Sequence, residues 1–305
     1  MSDVRTEPLT QEEIDRYHAE GFLFPIRVLT DEQVEGLREA LDDHLSGRIN
    51  SETYELTDPI ISDHATPSVG DGGAGAGMTA VAEKTDTEIE KKPHSNPFLF
   101  NLWERDERFR PIVFNPIIAG MARQLLGSSE VVLMEDGAIV KNPQIGKTLH
   151  WHQDYSYWPL ATPAAVTAWI ALDRVNVENG AMQVAVGSHL LGERLPVEFG
   201  DGRSFMHDER PGVEEIPADP AADHEIVPYD LQPGECGFHH ALLWHASGPN
   251  TSPNIRRGFV PRYVAAGTTW LGSGRFPYNF SDEEVGCEVG GPIGGPHFPV
   301  VPAAF

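Results

Sequence analysis

Cysteine is nearly absent. Cys236 and Cys287 are the only two in 305 residues, too few for a disulfide framework or a thiolate metal cluster. Positive charge is scarce as well. Lys and Arg number 22 against 46 Asp and Glu, a formal charge of −24, which argues against nucleic acid or an anionic membrane as partner. The acidic surplus reads as a solvated surface that would tolerate a cationic substrate. No apolar run reaches the length of a membrane span, and the opening stretch MSDVRTEPLTQEEIDRYHAEGF has no apolar signal core. These absences leave a cytoplasmic enzyme of reducing surroundings acting on a small molecule. What is present is a 40% hydrophobic content, enough for a real core, in a length that β-rich folds often use as one domain.

The first 128 residues read as a helical region. Thr10 with Glu13 and Thr30 with Gln33 form capping-box patterns, opening helices over about 11–19 and 31–45, the second with Val34, Leu37, Leu41 and Leu45 on one stripe. Phe22–Val28 between them reads as a strand. A third helix starts at Asn115-Pro116 and ends near Gly127. Residues of about 50–98 read as irregular, a mobile loop containing the Gly/Ala tract 70–77. That tract has no Gly-Lys-Ser/Thr closure, so a phosphate cradle is the weaker reading.

From 129 to 305 the pattern changes to short β-rich runs between turn clusters: 131–134, 138–141, 166–172, 182–186, 237–244 and 259–264. Such spacing predicts an antiparallel sandwich or barrel. The whole chain, 1–305, is expected to be one mostly β (α+β) domain with its helices at the N-terminal end.

The chemistry concentrates at His152-Gln153-Asp154 and at His245, with Arg256 beyond it. Two imidazoles and a carboxylate make a three-point ligand set that leaves coordination positions open, as in non-haem Fe(II) oxygenases. His152 and Asp154 are two apart, so on a strand both leave by one face. A hairpin centred on Gly248-Pro249-Asn250 would set residue 245 opposite 256 and turn Arg256 inward, Arg257 outward. A buried arginine wants an anion, and a carboxylate matches it best; an ordinary structural ion pair is the competing reading. Trp151, Tyr155, Tyr157 and Trp158 crowd the first two ligands and suit either an apolar pocket or plain core packing. A zinc hydrolase also uses two His and one carboxylate, with Glu235 as the tempting general base. His150 shares strand parity with His152 and lines the pocket in this reading. His239 and His240 suit core roles or roles behind the ligands, and His189 sits in a Gly-Ser-His turn.

At these residues the chain resembles the phytanoyl-CoA dioxygenase (PhyH) family of Fe(II)/2-oxoglutarate oxygenases, in its ectoine-hydroxylase-like branch. The resemblance rests on Tyr17–Leu23, Trp151–Trp158, Ala168–Asp173, Glu178–Met182 leading to Gly187-Ser-His189, and His245–Asn250 with Arg256, and covers nearly the whole chain. It implies a double-stranded β-helix, a cupin-like jelly roll, with the N-terminal helices packed outside. It implies Fe(II), 2-oxoglutarate and O₂ as cofactor and cosubstrates, and hydroxylation of an unactivated C–H bond, with desaturation, epimerisation or cyclisation on the same iron, or a non-enzymatic cupin-like binding protein, as the alternatives. His152, Asp154 and His245 match the metal ligands. Arg256 matches the arginine that grips the distal carboxylate of 2-oxoglutarate, and Ser247 the hydroxyl beside it. Thr167, Trp169, Gln153 and Lys141 fall near cosubstrate-pocket positions, while Trp158, with Tyr155 and His150, falls toward the substrate. Halogenating relatives replace the metal carboxylate by a small residue; Asp154 is present, which favours hydroxylation. The Gly/Ala-rich stretch 66–80 matches no relative of known substrate.

Overall fold

The computed structural model describes residues 3–51, 54–55, 94–197, 212–272 and 281–305; the Gly/Ala-rich stretch 66–80 lies outside them. Both capping boxes form. Thr10 Oγ1 accepts from the Glu13 N–H and the Glu13 carboxylate accepts from the Thr10 N–H, opening α1 (Gln11–Glu20), which Gly21 ends at φ 90°. β1 (Phe22–Arg27) follows, and the Thr30–Gln33 box opens α2 (Asp31–Leu45). Part of the stretch expected to be irregular is ordered: β2 (Tyr54–Glu55) pairs with β3 (Pro97–Phe100). The apolar run of β3 is buried there against the next strand pair, which a solvated loop would not allow. α3 (Leu102–Arg105) and α4 (Arg110–Val113) are single turns. α5 (Pro116–Leu126) starts where Asn115 caps the Ile117 and Ile118 N–H groups and ends at Gly127.

The remaining strands are β4 (Val131–Glu135), β5 (Gly137–Lys141), β6 (Leu149–His152), β7 (Ala165–Ala171), β8 (Met182–Ala185), β9 (Ile226–Pro228), β10 (Glu235–His240), β11 (His245–Ser247), β12 (Arg256–Phe259) and β13 (Arg262–Ala265). The short helix α6 (Asp282–Val285) and β14 (Val300–Val301) close the chain. A large antiparallel sheet runs β14-β4-β13-β7-β12-β5-β3-β2, with β10 also paired to β7 and β1 to β10. A smaller one runs β6-β11-β8-β9. The fold is mostly antiparallel β, a jelly roll.

β7 shows why the layers pack as they do. All seven of its residues are buried, because the strand is covered on both faces. Val166, Ala168 and Ile170 join the core that holds α1, α2 and α5. Trp169 and Ala171, of opposite parity, join the core shared with Met182, Val184 and Tyr229 beside the small sheet. The helices therefore seal the outer face of the large sheet and leave its inner face to the small one. Among the described residues no helix is long and apolar enough to cross a membrane.

Two expected strands are broken, and the breaks matter. The run 237–244 turns at Ala241-Leu242, where the Leu243 N–H reaches the His240 carbonyl, so β10 stays in the large sheet and β11 enters the small one. The run 259–264 breaks at Val260-Pro261, which separates β12, paired with β5, from β13, paired with β4. The hairpin expected between His245 and Arg256 does not form. β11 and β12 lie in different sheets, and the chain between them crosses from one to the other. Asn250 braces that crossing by donating to the carbonyls of Lys141 and Asn254.

Candidate active site

His152 and His245 are directly opposed on β6 and β11, so their rings meet with centroids 4.1 Å apart. Asp154 is not on the strand, as strand parity would have it. It begins a 3-10 turn at φ −63°, ψ −43°, and reaches the same spot because the chain folds back after His152. The Tyr155 N–H pins this turn to the Ala241 carbonyl. Gln153, between the two ligands, ties them to two neighbouring loops: its Nε2 donates to the carbonyls of Leu242 and Gly192, and its Oε1 accepts from the Arg194 N–H. That amide is thus engaged in holding the loop. One ligand atom each from His152, Asp154 and His245 lies within 4.8 Å of the others, all three residues buried.

The protonation states suit a cation. His152 Nδ1 faces the His150 carbonyl at 2.6 Å and His245 Nδ1 the Leu243 carbonyl at 2.9 Å. A carbonyl only accepts, so each Nδ1 carries the proton and Nε2 the lone pair, the arrangement in which histidine binds metal. Burial pushes both imidazoles below their ordinary range, and the His152 ring pushes His245 down further. Burial alone would raise Asp154, but the His245 and His239 rings and the Arg262 guanidinium outweigh it and hold the carboxyl well below its usual range. Neutral imidazoles beside an ionised carboxylate are the metal-binding forms.

Asp154 uses its two oxygens differently. Oδ2 accepts from Thr167 Oγ1 at 2.9 Å and from His239 Nε2 at 3.2 Å, while Oδ1 lies 3.6 Å from His245 Nε2. Thr167 thus touches the carboxylate. It stands opposite His239 on β10 and Arg262 on β13, and Arg262 stands opposite Glu135 on β4. Opposed residues share a face, so these four buried polar side chains form one row across the inner face of the large sheet. Arg262 Nη1 donates to Glu135 at 2.9 Å, and its guanidinium lies over the rings of Trp158 and Phe98. The row was not read from the sequence, because it depends on register between strands far apart in the chain.

A second cluster holds the cations. Arg256 stands opposite Lys141 on β5 and is 2% exposed, with its guanidinium 5.4 Å over the Trp169 ring. Among the described residues its Nε and Nη2 have no hydrogen-bond partner, and neither has the buried Oγ of Ser247. Arg257, of opposite parity, is a saturated structural arginine bonded to Asp173 and Asp42. Arg256 is therefore inward and Arg257 outward, as expected, although the two alternate on β12 and not on the expected hairpin. Lys141 Nζ donates to the carbonyls of Lys147, Ser247 and Gly248; burial and the neighbouring Arg256 push it down to about 6. Burial pushes Arg256 down to about 10. A buried arginine with unfilled donors is able to take up an anion, and a carboxylate matches its geometry best.

The remaining residues singled out in the sequence are accounted for one by one. Trp158 is buried under Arg262. Tyr155 donates its hydroxyl to the Leu160 carbonyl, and Tyr157, whose ring lies 6.3 Å from that of His152, exchanges hydrogen bonds with the Val197 backbone. His150 is half-buried and contributes its carbonyl to His152. His189 faces the His18 carbonyl and stands outside the ligand set. Glu235 is at the start of β10, where its carboxylate accepts from the Gln232 N–H.

The family model for phytanoyl-CoA dioxygenase (PhyH) matches residues 17–258. The chain belongs to the PhyH family. Two buried imidazoles and a carboxylate that leave coordination positions open, with an arginine whose donors are unfilled, fit Fe(II) and a carboxylate-bearing cosubstrate. Among curated PhyH-type relatives, mouse phytanoyl-CoA dioxygenase domain-containing protein 1 is 30% identical over 62% of this chain and 64% of its own length, just under two thirds. A protein of Stutzerimonas stutzeri named a probable alpha-ketoglutarate-dependent hypophosphite dioxygenase is 29% identical over 66% of this chain and 70% of its own. The solved carbocyclase SnoK of nogalamycin biosynthesis superposes with a TM-score of 0.67 at 23% identity, covering 96% of each chain. EctD from S. alaskensis, solved with 2-oxoglutarate and 5-hydroxyectoine, gives 0.58 at 19%, over 84% of this chain and 76% of its own.

Proposed function

We propose that this PhyH-family chain hydroxylates an unactivated C–H bond of a small molecule, an amino acid or compatible solute, an aminophosphonate or a secondary metabolite, while converting 2-oxoglutarate to succinate and CO₂. The observation that carries the reading is the pairing of a compact His152–Asp154–His245 set with a buried arginine whose donors are unfilled. His152, Asp154 and His245 hold Fe(II), Arg256 and Ser247 receive the distal carboxylate of 2-oxoglutarate, and Trp169 backs the guanidinium. The bound iron and cosubstrate supply the oxidising chemistry that no side chain can. The protein's own part is to orient the C–H bond, keep water out and leave coordination positions open. Lys141 and Gln153 hold the two ligand-bearing segments in place through backbone carbonyls. Trp158, Tyr155 and His150 border the substrate.

A curated relative from Streptomyces griseoviridis named L-proline trans-4-hydroxylase is 31% identical over 57% of this chain, which supports including amino acids among the candidates. The test is succinate formation by anaerobically Fe(II)-loaded protein given O₂ and 2-oxoglutarate, across amino acids, betaines, aminophosphonates and acyl-CoAs. Substrate-dependent succinate abolished by His152→Ala, with a product heavier by one oxygen, supports hydroxylation. A product lighter by two hydrogens moves the reaction to desaturation or cyclisation on the same centre, and one of unchanged mass moves it to epimerisation. No iron binding at all would sink the reading.

A further inference from the structure

Asp154 is gripped from one side only. Thr167 on β7 and His239 on β10 are directly opposed, both point into the space between the sheets, and both donate to Oδ2. A carboxylate is acceptor-only, so the His239 nitrogen facing it carries the proton and is not itself a metal-binding lone pair. The ring's other nitrogen, Nδ1, is buried and has no partner among the described residues. Asp154 is thus the one hydrogen-bonding partner the structure gives this imidazole. A ring there only to fill space would do so without a buried nitrogen left unsatisfied. The neighbouring Phe238 fills the opposite face with an apolar ring.

We infer that His239 is a positioning residue that, with Thr167, makes Asp154 a one-oxygen metal ligand. The inference rests on the reading of His152, Asp154 and His245 as the metal set. Oδ2 is occupied by two donors, so Oδ1, facing His245 Nε2 at 3.6 Å, is the oxygen presented to the cation. A carboxylate released from this grip can swing and offer both oxygens, which uses up a position that a chelating cosubstrate or O₂ needs. His239 therefore protects the open positions as well as metal affinity. It is not a fourth ligand.

The test uses the full chain with Co(II) as probe under anaerobic conditions, in wild type, His239→Phe, His239→Gln, Thr167→Val and His152→Ala. Affinity is read by chelator competition, ligand arrangement by the visible absorption of bound Co(II), and folding by the melting temperature of the metal-free protein. Loss of an outer partner of a metal ligand typically costs about 10–100-fold in affinity. His239→Phe is expected to fall in that range with an altered Co(II) spectrum and an unreduced metal-free melting temperature. His239→Gln, whose amide N–H can still donate, is expected to recover most of the affinity, and Thr167→Val to weaken binding less than His239→Phe. Co(II) affinity of His239→Phe within twofold of wild type with an unchanged spectrum would overturn the inference. Loss of one imidazole coupling from Cu(II)-loaded His239→Phe in pulsed EPR would overturn it too, by making His239 a ligand. If instead His152→Ala binds Co(II) as wild type does, the metal-set reading fails first.

Discussion

Arg256 should cost the empty protein stability and repay it only when an anion arrives. Its guanidinium is 2% exposed, and no side chain or carbonyl among the described residues accepts from its Nε or Nη2. Two physical routes give the size of that cost. A buried donor left unsatisfied costs about 1–3 kcal/mol, and two are present. Burial lowers the group from 12.5 to about 10, and at about 1.36 kcal/mol per pKa unit this is roughly 3 kcal/mol against the charged form. Arg256→Met keeps much of the aliphatic stem against Trp169 and removes the charge. The metal-free variant should therefore be more stable than wild type by about 2–3 kcal/mol, a rise in melting temperature of roughly 3–5 °C at this chain length.

The same variant should lose 2-oxoglutarate. Truncating one member of a buried, hydrogen-bonded charge pair costs about 2–5 kcal/mol, roughly 30-fold or more in affinity. Calorimetry of the metal-free proteins reads the first effect. Titration of 2-oxoglutarate into the Mn(II)-loaded proteins, followed by quenching of tryptophan emission, reads the second. A metal-free Arg256→Met that melts several degrees below wild type would refute the cost argument. Affinity for 2-oxoglutarate within threefold of wild type would refute the assignment.

Three further perturbations test other parts of the structure. Burial pushes Asp136 up to about 7, so between about pH 4 and pH 7 the folded chain holds a proton the unfolded chain has released, and stability falls as pH rises through that window; Asp136→Asn should raise the melting temperature by several degrees at pH 8 and hardly at pH 4, as calorimetry at the two pH values would show. Arg262→Met removes the guanidinium that donates to the buried Glu135 carboxylate and should lower stability in denaturant unfolding, by at most about 3–5 kcal/mol, whereas adding Glu135→Leu should recover part of it. A Cβ at Gly258 would lie 2.4 Å from the Trp169 ring, so Gly258→Ala should displace the ring that backs Arg256, cost about 1–3 kcal/mol and weaken 2-oxoglutarate binding more than it weakens Co(II) binding.

The parts of the fold legible in the sequence are those set by near neighbours. The capping boxes at Thr10 and Thr30 and the glycine stops at Gly21 and Gly127 need only a few residues of context, and all four form. The His152, Asp154 and His245 set was legible from residue types and order, yet its local geometry was not. Asp154 reaches the others from a turn, because the chain leaves β6 at His152. Arg256 was placed inward through a hairpin that does not exist. The parity held because β12 lies in a sandwich, covered by Asp173 and Asp42 on one side of Arg257 and by Trp169 on the other side of Arg256. The row His239–Thr167–Arg262–Glu135 had no trace in any short window, since it is assembled by register across β10, β7, β13 and β4.

That division explains why the reaction class is easier to read than the substrate. A buried polar or charged group that lacks its match marks itself by its cost, as the Arg256 guanidinium and the Ser247 hydroxyl do among the described residues. The aromatic residues near His152 carry no such mark. Tyr155 gives its hydroxyl to the Leu160 carbonyl and Tyr157 exchanges hydrogen bonds with the Val197 backbone, so both polar ends serve the fold. What these two rings offer a substrate is their faces. Ring faces accept an apolar group or a cation with little regard to its identity, so rings of this kind say far less about a ligand than an unmatched guanidinium does.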